Sequence, residues 1–188
     1  EGNVIVIAVE DSDFFSPEKR NSWRKLNDSI TDFKEINFVL SIDNIQELIK
    51  DSKEEKFTLE NVKLSAATDS AGLSKFKEKL FLELPFYNNL VFNSENNTIR
   101  TLIYMDPDIV NTAARKDFIF NTFIPLIEAF EEETKMDVRV SGMPYIRTLN
   151  AQNIVDEIGL FILGATLITS VIFFLFFRSF RATFISLI

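Results

Sequence analysis

Alternating and helical patterns of apolar residues divide the first part of the chain into short strands and an amphipathic helix. Residues 4–9 form an almost wholly apolar, β-branched run, which is typical of a strand buried on both faces at the centre of a sheet. Ser16 and Pro17 supply an N-cap and a first helical residue. The apolar residues that follow recur at helical spacing: Trp23, Leu26, Ile30 and Phe33. With a second strand predicted at 36–42, the opening of the chain predicts a strand–helix–strand unit.

The next segment, residues 43–89, is less regular and is interpreted as an insertion. A short helix is predicted at 45–51, followed by the polar stretch 53–56. A second helical stripe consists of Leu73, Phe76 and Leu80. Pro85 should end that helix, because proline has no backbone N–H to donate and clashes with the preceding turn. The insertion is thus predicted to be mainly helical.

The pattern after the insertion predicts a hairpin, a long helix and a last strand. Residues 90–92 and 98–105 flank the turn-rich sequence NSENN, which indicates two antiparallel strands. An apolar stripe predicts a helix over 113–133, with a kink or break at Pro125. Residues 136–142 alternate between apolar and polar side chains, as in a strand with one buried face.

The order of these elements predicts a fold class. Strand, helix, strand, insertion, strand, helix and strand follow one another, which is the order of the split βαβ, or ferredoxin-like, arrangement with an elaborated middle. We therefore expect an α+β domain over residues 1–143, in which an antiparallel sheet carries its helices on one face.

A long apolar segment follows this domain. Residues 158–177 contain no charged residue, and their length matches the roughly 20 residues with which an α-helix crosses about 30 Å of hydrocarbon. A buried core helix usually keeps a polar stripe, whereas only small Gly, Thr and Ser residues interrupt this run. We predict a transmembrane helix here, which the domain reaches through a linker helix over 144–157.

Charges on either side of the apolar segment predict its orientation. Two acidic residues precede it, and Arg178 and Arg181 follow it, which the positive-inside rule associates with a cytoplasmic C-terminal end. Residues 1–157 are then expected outside the cytoplasm. Residues 178–188 are expected to form a cytoplasmic turn and the start of a next transmembrane helix, and an earlier span is expected before the first strand.

Composition narrows the functional classes. All 28 Asp and Glu residues and 18 of the 20 Lys and Arg residues precede position 158, which gives that part of the chain a net charge of −10. Such a surface repels nucleic acid, so no nucleic-acid partner is expected. The sequence contains no Cys and no His, which excludes thiol chemistry, Ser-His-Asp hydrolysis and the common zinc sites. We therefore expect no enzyme activity, no catalytic residue, no cofactor and no metal site.

Acidic residues cluster beside two predicted strand ends, at 10–13 and 106–108. Carboxylates two residues apart are able to hold a hard cation such as calcium. Neither cluster matches a calcium-loop motif, so turn formation and helix capping are the preferred interpretation.

Several segments together resemble one family of transporters. The chain is similar to the resistance-nodulation-division superfamily, especially the MmpL-like and Patched-like exporters of lipids and other hydrophobic molecules. In that family a βαββαβ porter domain lies outside the cytoplasm between the first and second transmembrane helices. The resemblance covers most of the chain and rests on four segments: NVIVIAVEDSDFFS (3–16), LPFYNNLVFNSENNTIRTLIYM (84–105), VRVSGMPYIRTLN (138–150) and FFLFFRSFRATFISLI (173–188).

Two motifs are the most specific parts of this resemblance. In the family a strand that ends in Gly-x-Pro precedes the linker helix, and Gly142 and Pro144 match those positions. An Arg-containing turn joins the second and third transmembrane helices there, and Arg178 and Arg181 match it. Pro125, within the second porter helix, departs from the family pattern.

The resemblance also implies a function and partners. The chain is expected to be a fragment of a proton-driven exporter in the cell membrane, the inner membrane of a bacterium, whose outer domain receives or passes a hydrophobic or lipid-like molecule. Its partners would be that molecule, the lipid bilayer, and the remaining transmembrane helices and second porter domain of the full-length protein. The acidic residues that couple proton flow lie in other helices of such transporters.

The sequence has 20 Phe residues, and five of them lie near predicted loops or element ends, where core packing does not account for all of them. These five are candidate contacts for a hydrophobic substrate: Phe14, Phe15, Phe81, Phe86 and Phe92. Core packing is the alternative for each, since Phe is among the most frequently buried residue types.

Two other functions remain open at the level of sequence. The first is an extracytoplasmic ligand-sensing domain of a membrane-anchored receptor, in which the span relays ligand occupancy to a cytoplasmic effector. The second is a membrane-anchored enzyme, which the missing nucleophile and metal residues disfavour. Further spans in the natural protein would indicate an exporter, whereas a soluble signalling domain would indicate a receptor.

Overall fold

The chain folds into two compact units. The computed structural model describes residues 2–51, 56–62 and 69–177. The first unit, Glu1–Ile146, is an α+β domain with antiparallel sheets. The second unit, Arg147–Ile188, contains the greater part of a long C-terminal helix. The predicted α+β class and the predicted C-terminal helix are therefore confirmed.

An antiparallel sheet of five strands forms the centre of the first unit. In chain order the strands of the described residues are β1 (Val4–Glu10), β2 (Ile36–Leu40), β3 (Gln46–Asp51), β4 (Lys56–Asn61), β5 (Phe92–Asn93), β6 (Thr98–Met105) and β7 (Val138–Ser141). The main path of the sheet runs β2-β6-β1-β7, and β5 pairs with β6 outside that path. β1 therefore lies between two neighbours, as its apolar sequence predicts.

Helices separate these strands along the chain. They are α1 (Pro17–Thr31), α2 (Ser70–Glu83), α3 (Ala113–Phe118), α4 (Ile124–Thr134) and α5 (Met143–Phe177). α1 has Ser16 at its N-cap position, as predicted, and α2 begins after Asp69, whose carboxylate accepts a hydrogen bond from the Gly72 N–H at 3.1 Å. The predicted apolar stripes of the two helices are buried, except that Phe33 lies beyond the end of α1 and is half-buried.

The sheet is buried on one face, which corrects the prediction for the first strand. Ile5, Ile7 and Val9 are buried, whereas the residues between them are half-buried. β6 alternates in the same way, and its register places Ile103 opposite Ile5 and thus on the same face. Antiparallel sheets commonly pack only one face on helices, so an apolar run does not require helices on both sides.

The insertion begins with a β-hairpin rather than with a helix. β3 and β4 form a separate two-stranded antiparallel sheet in which Leu48 lies opposite Leu59. The Gln, Glu, Leu and Lys residues of β3 favour a helix in isolation, but pairing with the KFTLEN segment supplies backbone hydrogen bonds that override this preference. The predicted helix at 45–51 is therefore wrong. Of the predicted polar stretch, residues 53–55 lie outside the described part of the chain.

The one predicted hairpin and the predicted end of α2 are confirmed. Pro85 begins a single 3₁₀ turn, Pro85–Tyr87, directly after the last residues of α2. β5 and β6 then pair, with Phe92 opposite Ile99. The first arm of this hairpin is shorter than predicted, because only Phe92 and Asn93 form the strand.

The helix predicted over 113–133 is present, and its hydrogen-bonding pattern changes just before Pro125. A π-helical turn, Ile119–Phe123, joins α3 to α4, and the Ile124 N–H donates to the carbonyl of Ile119 five residues earlier. Proline has no N–H to donate, so a local change of hydrogen bonding is the expected response to Pro125. The predicted break is thus a π-helical turn inside one continuous helical segment.

Candidate functional site

Four of the five candidate phenylalanines lie together in one aromatic cluster. Phe14 and Phe15 belong to the turn between β1 and α1, Phe81 to α2, and Phe92 to β5. The Phe14 and Phe15 rings meet edge to face with centroids 5.3 Å apart, and Phe15 meets Phe81 in the same way at 6.0 Å. Phe81 stacks on Phe92 at 5.3 Å with 24° between the ring planes. Elements that are distant in sequence therefore converge on a single contact region.

This aromatic cluster is part of the hydrophobic core. Phe14 and Phe92 are only 1% and 0% exposed, and Phe15 and Phe81 are half-buried. The Nζ atom of Lys77 lies 5.5 Å from the centroid of the Phe15 ring and 5.6 Å from that of Phe81, which is within cation–π range. In this conformation Phe14 and Phe92 pack inside the domain and do not face an open path.

The aromatic cluster also contains two residues that were not among the five candidates. Trp23 lies 5.8 Å from Phe14, and Phe76 lies 6.3 Å from Phe15, both as ring-centroid distances. Their places on helical stripes predict burial but not which helices meet. Phe86 is 80% exposed and pairs instead with the adjacent Tyr87, at 5.2 Å.

A buried ion pair ties α1 to the loop after β2. The Arg20 Nη2 atom donates to Asp43 Oδ1 at 2.6 Å, and these side chains are only 4% and 14% exposed. Asn27 Nδ2 also lies 3.4 Å from the same carboxylate. The Arg20 guanidinium sits 5.6 Å from the centroid of the Phe76 ring. The sequence signal for this pair was Arg20 itself, which occupies the apolar stripe of α1 together with Trp23.

Hydrogen bonds within the first acidic cluster form a turn. Lys19 Nζ donates to Asp11 Oδ2 at 2.7 Å, and the Asp13 backbone N–H donates to Asp11 Oδ1 at 2.8 Å. Partial burial alone would raise the pKa of Asp11, but these hydrogen bonds and the Lys19 charge outweigh it and hold that pKa below its usual value. The hydrogen bond to Asp11 raises the pKa of Lys19.

The second acidic cluster also forms a turn. The Asp106 carboxylate accepts the Asp108 backbone N–H at 2.8 Å, which is the hydrogen bond of an Asx turn. Within the described ranges, no group of three or more His, Cys, Asp or Glu side chains is placed to hold a metal ion. The arrangement of these carboxylates is that of turn residues.

The Gly-x-Pro motif lies where the sheet passes into α5. Gly142 follows the last residue of β7 with a φ of +117°, and a Cβ atom built on it would lie 2.2 Å from the carbonyl oxygen of Val4. Its own carbonyl accepts the Ile146 N–H at 2.9 Å in the first turn of α5. Pro144 is the second residue of that helix, a position that tolerates a missing N–H. Arg178 and Arg181 lie outside the described residues.

Two cavities border α4. One, of about 170 Å³, lies between α1 and α4 and includes Lys25, Ala129 and Glu133 in its lining. The other, also of about 170 Å³, lies between α4 and β7 and includes Ile127 and Tyr145. Pockets for drug-sized ligands usually measure roughly 300–1,000 Å³, so neither cavity accommodates a lipid-like molecule in this conformation.

α5 ends in an apolar stretch with the properties of a membrane span. Its segment Met143–Phe176 has a mean hydropathy of 2.5 over its most apolar window, and among the described residues it is the one helix long and apolar enough to cross a membrane. Its large side chains are exposed, with Leu160 at 75% and Phe161 at 77%. The Ser170 hydroxyl donates to the carbonyl of Thr166 at 2.7 Å, so this polar group is satisfied within the helix, as hydrocarbon surroundings require.

Comparisons with protein-family models, with curated proteins and with solved structures found no match for this chain. The family resemblance seen in the sequence motifs thus stays a prediction.

Proposed function

We propose that the chain is the outer domain and membrane anchor of an exporter that resembles the resistance-nodulation-division superfamily. The observation that carries this proposal is α5, which begins directly after Gly142 and continues without interruption to Phe177. Its last 20 residues carry no charge and would span about 30 Å as a helix. An α+β domain followed at once by such a helix is the layout expected of the first outer loop of these exporters.

The strand order supports the proposal at the level of the fold. Without the β3–β4 hairpin, α2 and β5, the chain order is β1, α1, β2, β6, α3–α4, β7. The antiparallel order β2-β6-β1-β7 is what a ferredoxin-like βαββαβ unit would adopt. We therefore propose that residues 1–143 are a porter-type domain with an insertion, although part of that insertion is a hairpin.

The orientation of the domain is part of the proposal. Arg178 and Arg181 follow the apolar segment, and two acidic residues precede it. The positive-inside rule therefore supports a cell-membrane orientation in which residues 1–157 would lie outside the cytoplasm. The remaining transmembrane helices and a second porter domain would then come from other parts of the full-length protein, as an inverted or repeated architecture requires.

The five phenylalanines do not contribute equally to the proposed substrate contact. The aromatic cluster belongs to the hydrophobic core, in which Phe14 and Phe92 are buried and Phe15 and Phe81 are half-buried, so these four residues would mainly stabilise the domain. Phe86 is 80% exposed and is the candidate that a hydrophobic or lipid-like molecule reaches without rearrangement of the core.

Transport by the full-length natural protein tests this function. In proteoliposomes that enclose a lipid-like fluorescent dye, an exporter predicts dye movement that depends on an imposed pH gradient and stops when a protonophore dissipates it. Phe86→Ala should reduce the rate, whereas Phe38→Ala, at another exposed aromatic residue on β2, should not. Absence of gradient-driven movement, together with a topology map that finds a soluble signalling domain instead of further spans, would replace the exporter with the ligand-sensing receptor.

A further inference from the structure

The β3–β4 hairpin has two faces of different chemistry. Successive side chains of a strand point to opposite faces, and the register places Leu48 directly opposite Leu59. Gln46 Nε2 donates to Asn61 Oδ1 at 3.3 Å, which fixes a second cross-strand pair on the same face. We call this face the outer face, and it consists of Gln46, Leu48, Lys50, Phe57, Leu59 and Asn61.

The opposite face attaches the hairpin to the rest of the domain. The Lys79 Nζ atom of α2 lies 2.7 Å from Glu47 Oε2, and both side chains are about four-fifths buried. Ile49 is half-buried on the same side. At the base of the hairpin, the Tyr87 hydroxyl donates to the Gln46 carbonyl at 2.8 Å and accepts its N–H at 3.1 Å. The outer face is therefore turned away from α2.

The outer face exposes large apolar side chains to an unusual extent. Leu48, Phe57 and Leu59 are 61%, 63% and 65% exposed, although they lie side by side on paired strands. Single exposed apolar residues are normal on protein surfaces, but a contiguous group of this kind marks a surface that another phase or molecule covers. These residues add nothing to the core, so the fold alone does not explain them.

Charge indicates which surface covers them. None of the six outer-face residues is acidic and one is Lys50, although residues before position 158 carry a net charge of −10. The carboxylates of the two strands that are described, Glu47 and Glu60, belong to the opposite face. Leucine and phenylalanine beside a lysine suit the boundary between acyl chains and phosphate head groups, where a carboxylate would be repelled by anionic lipid.

We propose that the outer face of the β3–β4 hairpin docks on the surface of the lipid bilayer. This inference rests on the proposed membrane anchoring, because α5 would hold the hairpin near a bilayer at high effective concentration. Such tethering matters because three apolar side chains alone give only weak, reversible membrane binding. Leu48, Phe57 and Leu59 enter the head-group region, and Lys50 reaches the phosphates.

Site-specific spin labelling of the full chain tests this docking. The sequence has no Cys, so single-cysteine variants carry one nitroxide each. Leu59→Cys reports the outer face, and the neighbouring Thr58→Cys reports the opposite face of the same strand. Leu167→Cys reports the apolar part of α5. The chain is reconstituted into vesicles of phosphatidylcholine and phosphatidylserine, and collision rates with oxygen and with a water-soluble nickel chelate are measured.

Docking predicts an oxygen-to-nickel collision ratio at Leu59 about threefold or more above that at Thr58, because oxygen concentrates in lipid and the chelate does not. Equal, water-like ratios at Leu59 and Thr58 with a lipid-like ratio at Leu167 would overturn the docking and leave the anchor in place. A water-like ratio at Leu167 as well would overturn both the docking of the hairpin and the membrane span of α5. Spin–spin broadening at Leu59 that disappears on dilution with unlabelled chain would assign the face to a second copy and overturn the lipid proposal.

A charged substitution on the outer face provides an independent check. Phe57→Glu, in the chain that carries the Leu59 label, should lower the collision ratio at Leu59 about threefold, because a carboxylate resists transfer into the head-group region. Thr58→Glu is the matched control and should leave that ratio unchanged. Emission from Trp23, the single and fully buried tryptophan, verifies that both variants are folded. An unchanged ratio in folded Phe57→Glu would contradict the docking.

Discussion

Gly142 occupies a backbone position that a side chain would obstruct. Its φ of +117° lies in a region that residues with a Cβ rarely adopt, and β1 passes so close that an added Cβ would lie 2.8 Å from the Ile5 Cα. The residue therefore permits the edge strand β7 to turn into α5 while remaining packed against β1. The sequence motif predicted the position of this glycine, but the close approach of β1 depends on the sheet order and was not predictable from the motif.

Substitution of Gly142 should destabilise the first unit. We expect Gly142→Ala to lower the free energy of unfolding by about 2 kcal/mol or more, since backbone strain and steric overlap with β1 add. Urea unfolding followed by Trp23 emission measures this, because Trp23 is fully buried in the same unit. Gly2→Ala is the control, as nothing lies within 4 Å of the added Cβ. Equal unfolding midpoints for the two variants would contradict the steric account.

The Arg20–Asp43 ion pair should be far more important for stability than the exposed pairs. Asp43→Ala removes the carboxylate from a guanidinium that is almost fully buried, and breaking such a pair typically costs about 3–5 kcal/mol. Asp13→Ala is the comparison, because the Asp13 side chain is 73% exposed and should change the unfolding midpoint little. If thermal unfolding showed similar effects for both variants, the ion pair would not hold α1 to the loop after β2.

Asp11 and Lys19 give the domain a defined pH dependence. The folded-state pKa of Asp11 is lowered from the ordinary value of 3.8. The ionised carboxylate therefore stabilises the folded state at pH values above that ordinary pKa, and this stabilisation is lost as the pH falls through the folded-state pKa. Lys19→Gln should raise the pKa of Asp11 and so reduce the loss of stability in acid. An NMR titration of the Asp11 carboxyl measures this directly. An unchanged pKa in Lys19→Gln would show that Lys19 does not cause the shift.

At the scale of elements, strong periodicity gave reliable predictions and short polar segments did not. α1 and α2 were predictable because each carries a buried apolar stripe at helical spacing. Such a stripe is visible in the sequence of the helix alone, without knowledge of a pairing partner. β3 was predicted as a helix because its composition favours one, and the sequence does not show that β4 would pair with it. The π-helical turn before Pro125 was anticipated only as a disturbance, since a proline marks the position but not the form that the backbone takes.

The β3–β4 hairpin should be the less stable sheet of the domain. An isolated two-stranded sheet is marginal, and Tyr87 fixes this one through two hydrogen bonds to the Gln46 backbone. We expect Tyr87→Phe to speed amide hydrogen exchange in β3 about tenfold, with β6 unaffected, since the lost bonds are worth about 1–1.5 kcal/mol. Tyr104→Phe, on β6, should change neither strand. If Tyr87→Phe accelerated amide exchange equally in β3 and β6, the two sheets would instead unfold as one cooperative unit.

At the scale of the whole molecule, the sequence predicted the class of the fold and the apolar helix, but not the site. The α+β order and the charge-free segment follow from patterns that are local in the chain. The packing of the aromatic cluster does not, because Phe14 lies in the turn after β1, Phe81 in α2 and Phe92 in β5. The burial of each phenylalanine depends on how these parts of the chain pack together. The position of a residue near a loop in the sequence does not reveal that packing.

Thiol labelling in sealed vesicles shows directly whether α5 crosses a lipid bilayer. Leu167→Cys lies within the charge-free segment, and Asn150→Cys lies in the polar part of the same helix and is exposed. With a membrane-impermeant maleimide, we expect Asn150→Cys to be labelled on one side of the membrane and Leu167→Cys to be protected until detergent is added. Labelling of Leu167→Cys in intact vesicles as fast as that of Asn150→Cys would contradict the membrane span and the proposed function that depends on it.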